Sequence, residues 1–179
     1  ITLAIGVARM ARRRAIIRKL PAVETLGSTT VICSDKTGTL TENQMTVKGI
    51  MAGDDIFEVT GSGYKPEGEI LLNGTGAAVA EGSPLEQCLI AGLVCNDSHI
   101  VDKDGLITVA GDPTEGALLV SAAKGCLKLE AVQKDLPRID TIPFASDKQF
   151  MATLHSSGGE NVVYLKGSLE SILKRSSER

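Results

Sequence analysis

Apolar positions fall into distinct patterns along the chain, and each pattern predicts an element. Residues 29–33, Thr29-Thr30-Val31-Ile32-Cys33, are β-branched and apolar, as in a strand buried on both faces. Runs of strand character follow over 45–51, 55–60, 107–110, 138–144, 149–154 and 161–165, joined by turn residues such as Gly53-Asp54-Asp55. Three segments have helical spacing and a start signal. Ser83 caps the first, with Pro84 at the first position, Glu86 completing a capping box, and Leu85, Cys88, Leu89 and Leu93 facing the core. Asp112 caps the second, with Pro113 and Glu115 behind it and a stop at Gly125. Ser168 caps the last, with Leu169, Ile172 and Leu173 on one face. The pattern is α+β: a mainly antiparallel sheet with helices packed on it.

Composition adds limits. With 42% hydrophobic and 23% charged residues over 179 positions, a globular core is affordable and wholesale disorder is excluded. The four cysteines, Cys33, Cys88, Cys95 and Cys126, show no paired spacing and read as reduced, mostly buried thiols. Charge is uneven, because Arg9, Arg12, Arg13, Arg14, Arg18 and Lys19 lie in residues 1–22 with no acid among them. The apolar residues 1–8 before this cluster are far short of the roughly 20 needed to span a bilayer. Apolar then basic is the order at the cytoplasmic exit of a membrane helix. No aromatic residues interleave with the bases, which weakens a nucleic-acid reading.

The chemistry concentrates where residues 29–33 give way to Ser34-Asp35-Lys36-Thr37-Gly38-Thr39-Leu40-Thr41. Ligands of open α/β sheets bind just past the carboxyl ends of strands. Asp35 there could attack a phosphoryl group and carry it covalently, with the amides of residues 37–39 as phosphate donors and Lys36 offsetting charge. A turn closing a strand is the simpler reading of Asp35-Lys36-Thr37-Gly38 alone. The whole string, continued by Glu42-Asn43-Gln44-Met45-Thr46, closely resembles the phosphorylation signature of the P-type cation-transporting ATPases. That resemblance implies Asp35 as the phosphorylated residue, with Mg²⁺ held by its carboxylate and the carbonyl of Thr37. It also implies a phosphorylation domain of haloacid-dehalogenase-like α/β fold. In that superfamily a second aspartate often stands two positions after the nucleophile as general acid and base. Here it is Thr37, so an acyl phosphate would be hydrolysed slowly.

Further strings resemble the same family in its order. Residues 19–27 resemble the link from a membrane helix to the phosphorylation strand, and Cys95-Asn96-Asp97-Ser98 matches at a helix end, where a polar turn alone would also explain it. Gly111-Asp112-Pro113-Thr114-Glu115-Gly116-Ala117-Leu118 resembles a nucleotide-binding motif in which the glutamate approaches the adenine amino group. Glu115 therefore has two roles open, helix cap or adenine contact. Phe144, beside the polar turn 145–149, could belong to the core or stack on a base, and the resemblance implies stacking on adenine. Ser146 replaces an arginine that helps hold the phosphates in several relatives, and Lys148 could compensate. Met151 belongs to the same stretch of the implied ATP site. Lys166-Gly167-Ser168-Leu169-Glu170 resembles the family's Lys-Gly-Ala-Pro-Glu, which implies Lys166 and Gly167 in the ATP pocket. The resemblance divides the chain into a stalk helix over 1–20, a first phosphorylation-domain segment over 21–44, and an incomplete nucleotide-binding domain over 45–179. It implies ATP and Mg²⁺ as cofactors, and as partners the transmembrane, actuator and remaining phosphorylation-domain segments of one membrane-embedded polypeptide. The implied function is a cation pump working through an aspartyl phosphate. A soluble phosphatase of the wider superfamily would want an aspartate at Thr37, and a non-catalytic nucleotide-binding module would leave Asp35 without a purpose.

Overall fold

The structure is a computed structural model describing residues 2–19 and 21–176. It divides into two compact units, Ile1–Glu42 and Asn43–Arg179.

In the first unit, α1 (Thr2–Arg12) and α2 (Pro21–Gly27) pack where Val23 meets Gly6. A single helix over residues 1–20 is not what forms, since α1 stops at Arg12 and Arg14 turns left-handed at φ 63°. Clustered arginines with no acid at i±4 give this stretch no side-chain support for helix. Residues 31–35 form neither helix nor strand, and Val31 and Ile32 are 74% and 78% exposed. The expected buried strand is therefore not realised here. A strand needs neighbours for its N–H and C=O groups, and no described residue of this unit supplies one.

The second unit carries three antiparallel sheets and four helices among the described residues. The first sheet has the order β1 (Gly49–Ala52), β2 (Asp55–Val59), β3 (Ile70–Leu72), β4 (Thr75–Gly76). The strand expected from residue 45 enters the ladder only at Gly49. Alternation sends Ile50, Ala52, Phe57 and Val59 inward, while Met51 and Ile56 face out. These inward residues and Ile70 meet Leu85, Leu89 and Leu93 of α3 (Pro84–Val94) and Leu119 and Ala122 of α4 (Pro113–Lys124).

Cys88 is exposed and not in this core, because the buried ridge of α3 runs at i+4 through 85, 89 and 93 and residue 88 lies at its edge. Cys33 and Cys126 are exposed too, so only Cys95 is a buried thiol. The capping box of α3 is also altered. Ser83 Oγ accepts from the Glu86 amide at 3.2 Å, but Glu86 Oε2 accepts from Gly82 N, at 2.6 Å, because the Ser83 amide already donates to the Ala80 carbonyl.

A hairpin of β5 (His99–Lys103) and β6 (Leu106–Ala110) connects α3 to α4, and α5 (Leu129–Asp135) follows α4. The last sheet is a meander of β7 (Arg138–Ala145), β8 (Phe150–Ser157) and β9 (Glu160–Gly167), closed by α6 (Leu169–Leu173). The central strand β8 is the most buried, with Met151, Thr153 and His155 nearly inaccessible. Ser168 caps α6 by accepting from the Ser171 amide, but Leu169 and Leu173 point outward and Ser171 is the buried residue. No described helix is long and apolar enough to cross a membrane.

Candidate functional site

Local chain geometry brings five of the sequence-selected residues to one place in the second unit. Along β7 and β8 the register runs Ile142 opposite Ala152, then Ala145 opposite Phe150, so β7 carries one extra residue between them. Such a bulge re-aims a side chain. It falls at Pro143-Phe144 on an edge strand, where a residue without an N–H is tolerated, and leaves Phe144 61% exposed. On β9, Lys166 lies directly opposite Met151 of β8, so both side chains share one face. Gly167 pairs with Phe150, and a Cβ built on it would lie 2.4 Å from the Gln149 carbonyl oxygen. Only glycine permits that approach.

Glu115, in the first turn of α4, completes the group. Phe144, Met151, Lys166, Gly167 and Glu115 all line a cavity of about 510 Å³, joined by Asp97, Asp112 and Leu118. Lys148 does not line it. That residue is exposed on the turn between β7 and β8, next to Gln149 of the wall. A second concavity of about 620 Å³, between the β1–β2 turn and the start of α3, contains none of the selected residues.

Two of the lining residues form a partly buried ion pair. Lys166 Nζ donates to Glu115 Oε1 at 2.6 Å. The other carboxylate oxygen, Oε2, accepts from the Asp97 amide at 3.1 Å and from the Ser98 hydroxyl at 2.9 Å. Burial pushes the Glu115 carboxyl up, but the Lys166 ammonium and these donors outweigh it and hold it below its ordinary value. Glu115 does not close a capping box. Asp112 caps α4, accepting from Thr114 N and Glu115 N at 2.8 and 3.2 Å, while its own amide donates to Ser98 Oγ at 2.9 Å. Burial pushes Asp112 up as well, and the two amides, the Thr114 side chain and Lys166 more than reverse it.

The motif Asn96-Asp97-Ser98, which sequence alone explains as a helix stop, thus serves the site. Asn96 Nδ2 donates to the Gly92 and Glu115 carbonyls, and Arg138 ties the same turn by donating to Asp97 Oδ1 and to the Val94 and Asn96 carbonyls. Recurrence of the motif in family order is the signal that could have marked it.

Asp35, Lys36 and Thr37 lie in the other unit, all exposed. Thr37 at φ −76°, ψ 121° and Gly38 at φ 75°, ψ 0° are the central residues of a type II turn, and the Thr41 amide closes the loop on the Lys36 carbonyl at 3.2 Å. The left-handed third position is why glycine stands there. Asp35 precedes the turn in extended conformation. Its carboxylate and the Thr37 carbonyl are hard oxygen donors of the kind Mg²⁺ takes, an ion that keeps several waters and needs only one or two carboxylates. Among the described residues no cluster of three or more acidic, histidine or cysteine side chains could hold a metal by itself.

A sequence profile of the P-type ATPase cytoplasmic domain N matches residues 84–179. The chain belongs to the P-type cation-transporting ATPase family. The cation-transporting ATPase pma1 of Synechocystis sp. is 54% identical over 98% of this chain. A calcium-transporting ATPase of Bacillus subtilis is 42% identical over 99%, and calcium-transporting ATPase type 2C member 1 of Bos taurus 42% over 97%. The chain spans only 18–20% of the length of these relatives. Helices packed with antiparallel sheets are the fold class expected of such a nucleotide-binding domain.

Proposed function

We propose that this chain is the nucleotide-binding and phosphoryl-accepting portion of an ATP-driven cation pump, with ATP held in the Glu115–Lys166 cavity and Asp35 as the residue phosphorylated. The observation that carries the reading is convergence. Residues from α4, the β7 bulge, β8 and β9, which belong to motifs far apart in sequence, line one cavity whose wall offers an aromatic face, an acceptor carboxylate and an ammonium. That donor set suits a purine nucleotide, through stacking on Phe144 and polar contacts at Glu115 and Lys166. Lys148, exposed beside the cavity, is the cation we assign to the phosphates.

In this reading residues 1–20 are stalk, 21–44 the first phosphorylation-domain segment and 45–179 nucleotide-binding domain of a longer, membrane-embedded polypeptide on its cytoplasmic side. Asp35 attacks the γ-phosphorus, the bond to the β-bridging oxygen breaks, and ADP leaves. Mg²⁺, when bound by the Asp35 carboxylate and the Thr37 carbonyl, supplies neutralisation of the charge between carboxylate and phosphate. The amides of residues 37–39 donate to the phosphate, that of Gly38 giving up its 3.4 Å bond to Thr41 Oγ1, and Lys36 adds positive charge beside the nucleophile. With threonine at position 37, the loop holds no second carboxylate to activate water, which gives the acyl phosphate a lifetime a pump can couple to ion affinity.

The test is acid-quenched labelling of the full-length polypeptide with γ-labelled ATP and Mg²⁺. Hydroxylamine-sensitive label lost in Asp35→Asn is the expected result. Parental labelling of that variant would overturn the assignment.

A further inference from the structure

We infer that Ser98 is a positioning residue of the nucleotide site, which fixes the Glu115 carboxylate in the orientation that a nucleobase meets; the inference rests on the nucleotide reading of that cavity. Ser98 is 4% exposed, so its hydroxyl must be satisfied within the protein. Its geometry does this in both directions. Ser98 Oγ accepts from the Asp112 amide at 2.9 Å and donates to Glu115 Oε2 at 2.9 Å, the Asp112 carbonyl lying further off at 3.3 Å.

The carboxylate is consequently held at both ends. Oε2 is pinned by the Ser98 hydroxyl and the Asp97 amide, which leaves Oε1 as the oxygen that faces Lys166. A carboxylate free to rotate about its last torsion would present either oxygen and would sweep the cavity wall. The pinned one presents a fixed acceptor to a ligand's amino group, and an acceptor-only group discriminates against a base that offers a carbonyl oxygen at the same point. Ser98 touches no ligand in this arrangement. Its effect passes through Glu115.

The charged groups around Glu115 are Lys166 from β9, Asp112 at the start of its own helix, and Asp97 in the turn after α3, the last paired at 2.7 Å with Arg138 of β7. Replacing Ser98 removes none of these charges, although it also frees the Asp112 amide, so loss of the hydroxyl takes a donor from the ionised carboxylate and moves its titration upward.

The test uses the 179-residue chain with Ser98→Ala and the near-isosteric Ser98→Cys, whose thiol is a weak donor. Three quantities are read: the Glu115 side-chain carboxyl carbon shift against pH without ligand, ATP affinity, and the ratio of ATP to GTP affinity. Both variants should titrate Glu115 at higher pH than the wild type, bind ATP about five- to tenfold more weakly, and discriminate less between ATP and GTP. A merely structural serine would lower thermal stability and leave the titration and the ratio unchanged. An unshifted Glu115 titration in whichever variant folds, or an unaltered ATP to GTP ratio alongside a shifted titration, overturns the inference. Failure of the wild type to bind ATP overturns the nucleotide reading itself and the ligand proposed here, whereas variant-only differences bear on Ser98 alone.

Discussion

Lys166 on the last strand and Glu115 in the first turn of α4 are 51 positions apart in sequence, yet their charged atoms lie 2.6 Å apart across the cavity. Their side chains are 24% and 14% exposed, so the pair is shielded from the screening that weakens surface pairs. Each partner is also an implied nucleotide contact, so the pair that organises the cavity is the pair a ligand would have to engage.

Removing one partner leaves the other partly desolvated without its counter-charge. Lys166→Met and Glu115→Gln should each lower stability by about 1–3 kcal/mol, read as a shift of the urea midpoint at unchanged slope. The double variant should be less destabilised than the two losses combined, because the penalty of an orphaned charge arises only in the singles.

Acid should erase that difference. The Glu115 carboxyl titrates below its ordinary 4.5 and Asp112 below its ordinary 3.8, so each contributes stability that is fully present above the ordinary value and lost as pH falls through the lowered one. Urea melts of wild type and Glu115→Gln should differ at pH 7 and converge progressively below pH 4.5. A gap that widens on acidification would contradict the ion-pair account.

Helix capping is carried by Asp112 and not by Glu115. Asp112→Ala should therefore cost about 0.5–2 kcal/mol while Asp112→Asn, which loses the charge but retains the acceptor, costs less. Ser83→Ala should cost a similar amount at α3. Circular-dichroism melts of the three variants test this, and equal loss in Asp112→Asn and Asp112→Ala would point to charge instead of capping.

Phe144 separates binding from folding. Exposed at the bulge, it contributes little to the core, so Phe144→Ala should change stability by no more than about 0.5 kcal/mol. Loss of a stacking face for a base should weaken ATP binding by about 1–3 kcal/mol. A large stability loss with unchanged affinity would return Phe144 to the core.

Much of this arrangement is legible in the sequence, and the exceptions have physical causes. The three strands of the last sheet and the starts of α3, α4 and α6 follow from alternation, caps and Pro at the first helical position. The β3–β4 and β5–β6 hairpins turn on Asn73-Gly74 and Asp104-Gly105, all four residues at positive φ; of their strands only β6 is marked by its run of apolar residues, and β3 and β4, three and two residues long, are too short to show a period. Cys88 departs from its expected core position because helical spacing defines a stripe without saying where its edge meets solvent. The Glu115–Lys166 pair and its Ser98 anchor are not legible at all, since they depend on how β9 and the turn after α3 approach α4. The segment before Asp35 illustrates the converse: its composition suits a buried strand, but without neighbouring strands among the described residues of its unit no strand forms.

The most direct test of the nucleotide cavity is an amide-shift titration of this chain with Mg²⁺-ATP. Saturable shifts are expected for residues at and beside Glu115, Phe144, Met151, Lys166 and Gly167, with none at Asp54, Leu72 or Leu85 around the second concavity. Shifts confined to the second concavity, or no response near Phe144 and Lys166 at millimolar ATP, would contradict the assignment of the cavity.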